Sequence, residues 1–397
     1  MSNYLALLRN PGVLRVLSSQ LLARFAFGMM SLGFVLHIQN VTNSYAIAGL
    51  ALGAETIGAA VSGPVLGRKI GPWGVKRVII FSTLITSSSL LAMALISMPP
   101  ILLIALAAVV GLSSPPIQSS ARTIYPTLAP KRQHQLLFSL DATLQELIWI
   151  IGPVLATLIA AQVNPAFVLV LMAAIQVAGS TWFLSNPEVR TVQIPTSAGR
   201  LGGVLKNRLV LTLAIIGLLL VGSFSGVEVG TVAILDISQA GLVIAALSVG
   251  SLIGGFWMGP KARSRWAMAK FVGLILIGYA LAFVMPNNPF WLGLCWFIAG
   301  LGIAPALGLL SNLISMALKI SDTAEAYGWI NTGQLMGYST GAALAGIAVD
   351  TVSPVSALLI AVLFGAGTLL VALLSTSILP ALEKTDTKSI PVIPEEK

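Results

Sequence analysis

Apolar and polar positions alternate along this chain with a long period. Twelve apolar stretches, at 13–36, 45–66, 78–97, 101–122, 138–161, 166–184, 209–234, 240–259, 268–285, 290–314, 326–349 and 355–379, are separated by short polar joints. A helix needs ~20 apolar residues to cross the hydrocarbon of a bilayer. The pattern therefore predicts twelve membrane-spanning helices. They account for most of the 397 residues and leave no room for a soluble catalytic domain.

The joints differ in charge, and the difference alternates. Arg9 and Arg15 stand at the start of the first stretch. The joint from His37 to Ser44 has no Lys or Arg, and the following one has Arg68, Lys69, Lys76 and Arg77. The same contrast recurs to the end of the chain, where Lys384, Lys388 and Lys397 lie in the tail. Basic residues are retained on the cytoplasmic side, so both termini are expected in the cytoplasm. The expected location is the cytoplasmic membrane, as a multi-pass protein.

Charged residues are only 9% of the chain, and mean hydropathy is +0.94. The net charge of +9 is explained by cytoplasmic loops that face anionic headgroups and implies no nucleic acid. The single cysteine, Cys295, excludes a disulfide framework and a Cys-based metal site. The first stretch lacks the form of a cleaved signal peptide and is expected to be retained.

The halves repeat one another. Gly111 to Ala160 aligns without gaps on Gly300 to Val349, matching Gly111 with Gly300, Pro116 with Pro305, Thr143 with Thr332, Gln145 with Gln334 and Gly152 with Gly341. Gly63 to Lys69 falls on Gly255 to Lys261. The fold class is thus an all-α membrane protein of two pseudo-symmetric six-helix halves, 1–184 and 209–379. A linker rich in Gly and Pro, 185–208, joins them, and a polar tail spans 380–397. A duplicated unit of this kind places a transport path at the interface of its halves near mid-membrane.

Ionisable groups inside a bilayer cost roughly 2.5–3.5 kcal/mol each on insertion scales and so point to function or to pairing. Away from their ends, the apolar stretches hold Arg24, Glu55, Asp141, Glu146 and Glu228. Arg24 is expected to pair with Glu55 across a short hairpin, with Glu146 as a rival partner. The pair serves either packing or a substrate or proton site. Glu228 has no basic residue on its own helix and is a candidate proton carrier. Tyr327, Asn331, Gln334 and Tyr338 are spaced to share one helical face, suited to substrate or to helix contact, as are Asp141 and Gln145. Pro115-Pro116 and Pro305 predict bends at equivalent positions. The glycines at 49, 53 and 58, and at 250, 254 and 255, are expected to permit close helix contact. Helices three, six, nine and twelve, without charge away from their ends, are expected at the periphery. There is no HExxH, Walker A or nucleophile-elbow sequence and no carboxylate-rich metal cluster.

The segment from Gly63 to Gly71, followed by Lys76-Arg77, resembles the loop signature G-x-x-x-D-R-x-G-R-[RK] of the major facilitator superfamily. Gly152-Pro153 resembles the core of the helix-five motif of its drug antiporters. Arg122, followed by Pro126 and Pro130, is similar to bacterial efflux members. The resemblance implies alternating access and proton-coupled export of a small apolar or cationic compound. It also implies cytoplasmic gating by Gly63, Gly67, Arg68, Lys69, Arg122, Gly152, Pro153 and Lys261. Gly67 stands where the signature has Asp, so the lock must be weaker or built otherwise. Ile148 replaces an expected glycine in the helix-five motif.

The chain thus reads as a secondary transporter, expected to be a monomer, without cofactor or metal and without enzymatic activity. Its partners are a small-molecule substrate, protons and lipid. The substrate and proton residues expected are Glu228, Arg24, Glu55, Glu146, Gln145, Asn331, Gln334 and Tyr338. The alternatives are a sugar or organic-acid uptake symporter and a non-transporting scaffold or sensor. The lack of a second buried Arg speaks against a dianionic cargo. Reporter domains fused at Asn40 and at Lys131 should report opposite compartments; the same compartment for both would refute the topology.

Overall fold

The computed structural model describes residues 2–235, 237–262 and 264–379. It is all helical, with no strand among them. The expected tail, 380–397, with its lysines, and the loop residue Arg263 lie outside the described residues.

Among the described residues, ten helices are long and apolar enough to cross a membrane. One of them, Tyr45–Leu95, runs 51 residues and is non-helical at Gly74, where φ is 78°. Glycine tolerates that left-handed backbone, and the expected second and third segments meet there. Ile320–Thr351 has the length of the first helix but carries the polar stripe, and we assign it as the eleventh segment. The helices are numbered accordingly: α1 Pro11–Thr42, α2 45–73, α3 75–95, α4 Pro100–Leu112 resuming as Ile117–Leu128, α5 His134–Gln162, α6 Pro165–Ser185, α7 Arg208–Ile234, α8 Ile237–Met258, α9 Ala267–Leu281, α10 Pro289–Ala317, α11 Ile320–Thr351 and α12 Ser356–Leu374.

Local chemistry starts these helices where the sequence changes character. Asn10, Asn164 and Asn288 each accept a backbone N–H of the first turn, and each is followed by proline at the first helical position. The asparagine satisfies a donor that the helix leaves free, and proline has none to lose. The linker is not featureless. It holds a short helix, Pro187–Thr191, and a 3-10 turn, Gly203–Lys206.

Both halves use the same packing. In the first, α1 lies on α5 and α6, α2 on α4, and α3 on α6. In the second, α7 lies on α11 and α12, α8 on α10, and α9 on α10 and α12. The sequence alignment that places Gly63 on Gly255 also places Gly58 on Gly250 and Glu55 on Leu247. Gly111 sits on the backbone of Glu55 and Ala59, and Gly58 on that of Ala108 and Gly111. In the other half Gly300 sits on Leu247 and Ser251, and Gly250 on Phe297 and Gly300. Absent side chains let the backbones touch, the usual device where lipid offers no hydrophobic drive. Gly49 and Gly53 depart from expectation: nothing lies within 4 Å of where a Cβ would stand.

The proline pair also acts differently in the two halves. The α4 helix is broken between Leu112 and Ile117, whereas α10 passes through Pro305 unbroken. Two adjacent prolines remove two successive donors, and one removes only one. The break re-aims Ile117–Leu128, with consequences for the site below.

Replacing Gly111 by Leu should lower the melting temperature in detergent, by the equivalent of about 1–3 kcal/mol. Gly53→Ala should leave it unchanged within about 0.5 kcal/mol. Equal melting of both variants would refute the backbone contact.

Candidate functional site

Three helices of the first half each present polar residues one turn apart. Gln20 and Arg24 lie on α1, Gln118, Arg122 and Tyr125 on the second part of α4, and Asp141 and Gln145 on α5. Spacings of three and four put each set on one face. The faces converge on Asp141, which is fully buried. Its Oδ2 accepts from Arg122 Nε at 2.8 Å. Its Oδ1 accepts from Gln20 Nε2 at 2.9 Å and from the Tyr125 hydroxyl at 3.1 Å. Arg24 Nη1 stands 3.6 Å from the same oxygen. Arg24 donates to Gln20 Oε1 at 3.0 Å and to Gln145 Oε1 at 2.5 Å. Gln118, with its amide oxygen turned to the guanidiniums, accepts from Arg122 at 2.8 Å and from Arg24 at 3.0 Å.

These contacts correct the expected pairing. Arg24 meets Asp141, and neither Glu55 nor Glu146 forms an ion pair among the described residues. The reason is helical phase. Glu55 is buried where α2 backs onto α4, and its Oε1 has no partner. Glu146, five residues after Asp141, turns toward Ser251 of α8. The expectation that Arg24 would be the one buried arginine is corrected as well. Arg122 is buried beside it because the broken α4 brings it there.

The expected residues of the second half scatter along its wall. Glu228 on α7 is exposed, and its Oε2 accepts from the Tyr338 hydroxyl of α11 at 2.5 Å. Tyr327 is buried, donates to Ser311 of α10 at 2.7 Å, and lies under the Arg122 guanidinium at 6.0 Å. The side chain of Gln334 lies against Gly217 of α7. Asn331 is half-buried. Among the described residues neither Asn331 nor Gln334 makes a side-chain hydrogen bond.

The halves touch near the helix ends that carry the basic joints. On one flank α2 meets α11. Gly63 and Gly328 meet backbone to backbone, Gly67 rests on Ala324, and Thr332 Oγ1 donates to Ala60 O at 2.5 Å. Arg68 Nη1 donates to Glu325 Oε2 at 2.6 Å, and Arg68 also donates to the linker carbonyl of Gly199. Glu325 Oε1 accepts the Gly202 N–H at 2.7 Å and Trp329 Nε1 at 3.3 Å. On the other flank α5 meets α8 and α10. Ser139 donates to Gly255 O at 3.0 Å, Gln135 to Gly259 O at 3.2 Å, and Asn312 to Gln135 at 2.9 Å. Away from these ends Ile57, on the α2 face that carries Ala60 and Gly63, is 70% exposed and Glu228 is exposed, which marks the open side of a cleft. The polar cluster forms the floor of this cleft. Asp141 and Gln145 lie about 10–16 Å along α5 from its basic end, at 1.5 Å per residue.

Gly63, Gly67 and Arg68 thus stand where the halves close. The aspartate that Gly67 displaces is supplied by Glu325 from the opposite helix, and a side chain at 67 would strike the Ala324 carbonyl. Four other expected gating positions lie elsewhere. Lys69 stacks on Trp73 and Lys261 on Trp257, each beside its own helix end. Gly152, followed by Pro153, rests on Gly28 of α1 within one half. Arg15 and Glu188 tie α1 to the linker at 2.5 Å. Burial pushes the Glu188 carboxyl up, but the Arg15 hydrogen bond, a backbone hydrogen bond and the Arg15 charge together hold the group below the usual range.

Gln20, Gln118, Tyr125 and Glu325 were not expected at the site. The spacing of Gln20 to Arg24 and of Gln118 to Arg122 repeats that of Asp141 to Gln145 and was the available signal. Glu325 lies just before the expected eleventh stretch. Among the described residues no three His, Cys, Asp or Glu side chains gather as a metal site would require.

The family model of the Major Facilitator Superfamily matches residues 16–275. The chain belongs to this superfamily. It is a multi-pass membrane transporter, as the family and its apolar helices indicate. No curated protein matches the sequence. Among solved superfamily-like folds, it is similar to a bacterial homologue of the iron transporter ferroportin in an outward-facing state, with a TM-score of 0.77 at 14% identity over 92% of this chain and 99% of that one. The human organic anion transporter MFSD10 has a TM-score of 0.71 at 14% identity, over 91% and 98%. The proton:xylose symporter XylE, bound to 6-bromo-6-deoxy-D-glucose, has 0.72 at 12% identity, over 93% and 96%. At such identities the likeness is one of fold.

For this superfamily member the lock at Glu325 carries a direct test. In a Cys295→Ser background, a Ser139→Cys probe should react slowly with a polar maleimide. Adding Glu325→Gln should raise its reactivity by about tenfold or more, because a hydrogen bond to a charged group is lost from the closed side. Unchanged reactivity would remove Glu325 from the gate.

Proposed function

We propose that this protein is a proton-coupled secondary transporter that exports a small molecule from a bacterial cytoplasm by alternating access. One observation carries the reading. A charged polar cluster forms the floor of a cleft that is sealed on one side by two flanking contacts and open on the other. Such a site can be offered to one compartment at a time if the halves rock about it. The sealed side bears Arg68, Lys69, Lys76, Arg77, Lys131 and Arg132. The preference of basic residues for the cytoplasm makes it the inner face of the cell membrane, with both termini there and the cleft outward-open.

We assign proton exchange to three carboxyl groups. Glu55 is buried without a cation, and its Oε1 is unpartnered. An isolated carboxylate in apolar surroundings is costly, so a proton is the simplest counter-charge. Glu146 stands between α5 and α8, which part when the halves rock. Glu228 reaches the open cleft and holds Tyr338. Binding cargo from inside and protons from outside through these groups constitutes antiport.

The second reading is uptake of an organic acid with protons. The presence of Arg122 beside Arg24 favours it, since it removes the objection that only one arginine is buried.

In inside-out vesicles under an imposed proton gradient, Glu55→Gln should lower coupled flux by about 10²-fold, as expected for loss of a positioned proton group. Glu228→Gln should lower it less. Undiminished flux in both variants would dismiss these carboxyls from coupling, and flux in the opposite direction would favour uptake.

A further inference from the structure

We infer that the cargo is an organic anion with an apolar, preferably aromatic, body, held by its acidic group at Arg24. The inference deepens the transport reading above and rests on it for the word cargo, but not for the binding site.

The argument begins with charge. Arg24 and Arg122 share a single carboxylate, Asp141. Apart from Asp322 and Asp350 at the two ends of α11, the other described carboxylates of the spanning helices are engaged elsewhere or stand apart. Glu325 takes Arg68, Glu228 takes Tyr338, Glu146 faces Ser251, and Glu55 lies behind α4. Among the described residues the cluster therefore holds one positive charge with no protein partner. Charges inside a bilayer face a partner or a water-filled cavity, and an uncompensated buried ion is strongly disfavoured.

The two arginines are not equivalent. Arg122 is the one that saturates Asp141, with a 2.8 Å bond. Arg24 stands at 3.6 Å, beyond hydrogen-bond length, although the two side chains are almost equally buried, with 12% and 11% of their surface left. A guanidinium has five donors in a planar fork. Arg24 spends Nη1 on Gln20 and Nη2 on Gln145 and Gln118, all neutral acceptors, and its Nε makes no hydrogen bond among the described residues. A carboxylate or sulfonate that takes Nε, and Nη2 in place of a neutral amide oxygen, matches the guanidinium fork and supplies the missing charge. A cationic cargo would instead add a second uncompensated charge.

The body of the cargo is read from the next turn. Phe27 follows Arg24 by three residues, and Trp149 follows Gln145 by four, so each stands one turn further toward the open side on the same face. Their rings meet edge to face, 5.6 Å apart. Trp149 remains 46% exposed, and an aromatic wall of this kind suits an apolar ring. Asn331 and Gln334 on the facing helix have amide groups to spare. The occupant implied is a monoanion with its acid on the floor and its ring beside Trp149.

The test is direct binding to the purified full chain in nanodiscs, read by Trp fluorescence and by thermal shift. The probes are 1-naphthoate, acetate, 1-naphthalenemethanol and a naphthylmethyl trimethylammonium salt. Naphthoate should bind saturably and most tightly. Arg24→Gln should weaken it by about 10–100-fold, the loss expected for a charge-assisted fork, and leave binding of the neutral alcohol unchanged. Trp149→Ala should weaken naphthoate but not acetate, and it keeps the proposal testable if Arg24→Gln does not fold. Equal or tighter binding of the ammonium salt, indifference of naphthoate to both substitutions, or no saturable response to naphthoate would overturn the inference. Proton flux in liposomes separates the two readings. Anion binding without proton movement leaves this inference standing and removes the coupled transporter. Coupled movement of the ammonium salt does the reverse.

Discussion

Charge has nowhere to hide in the hydrocarbon of a membrane, and that constraint shapes this protein from the site outward. Each ionised group in a spanning helix must be met by an opposite charge, a proton, water or a ligand. Asp141 is where the constraint is met most fully. Arginine, glutamine and tyrosine from α1, α4 and α5 surround it. Removing one member of so buried a set strands the others, so the cluster fixes the mutual rotation of three helices. Other packing in each half can rely on small residues, because the polar contacts already specify which faces meet.

The contacts within a half and those between halves differ in kind. Inside the first half the cement is charge. Between the halves it is glycine against backbone, a few neutral hydrogen bonds and one ion pair, Arg68 with Glu325. Interfaces of this second kind are tight in shape but weak in energy, since a neutral hydrogen bond contributes only about 1 kcal/mol net. They can part without disturbing either half. A cluster confined to one half and a separable seam between the halves make rigid-body motion the natural way for this fold to rearrange. The linker takes part, since Gly199 and Gly202 reach the Arg68–Glu325 pair and join the seam to the segment that covers it.

The departure at Gly67 illustrates how one constraint can be met by another route. The superfamily signature places an acid there. This chain instead lets α2 and α11 approach until backbones touch and takes the acid from α11. The fully buried Glu325 then holds Arg68, a linker amide and an indole at once. Close approach and an acid at position 67 exclude one another, because the Ala324 carbonyl occupies that space.

Sequence alone determined the membrane as solvent, the run of helices, the two-half plan and the special status of Arg24, Glu55, Asp141, Glu146 and Glu228. These follow from hydrophobic period, charge placement and the cost of burial, all of which are local properties. It also determined helix starts such as Asn164-Pro165, whose capping acts over a single turn. What only the tertiary structure decided is partnership. Periodicity shows that Arg24 and Gln20 share a face, but not which of four carboxylates that face will meet. Asp141 lies 121 residues from Gln20, and its approach depends on the break in α4 and on how α1 and α5 rotate against each other. Those angles are set by many weak packing contacts summed over the bundle, and no single stretch of chain contains that sum.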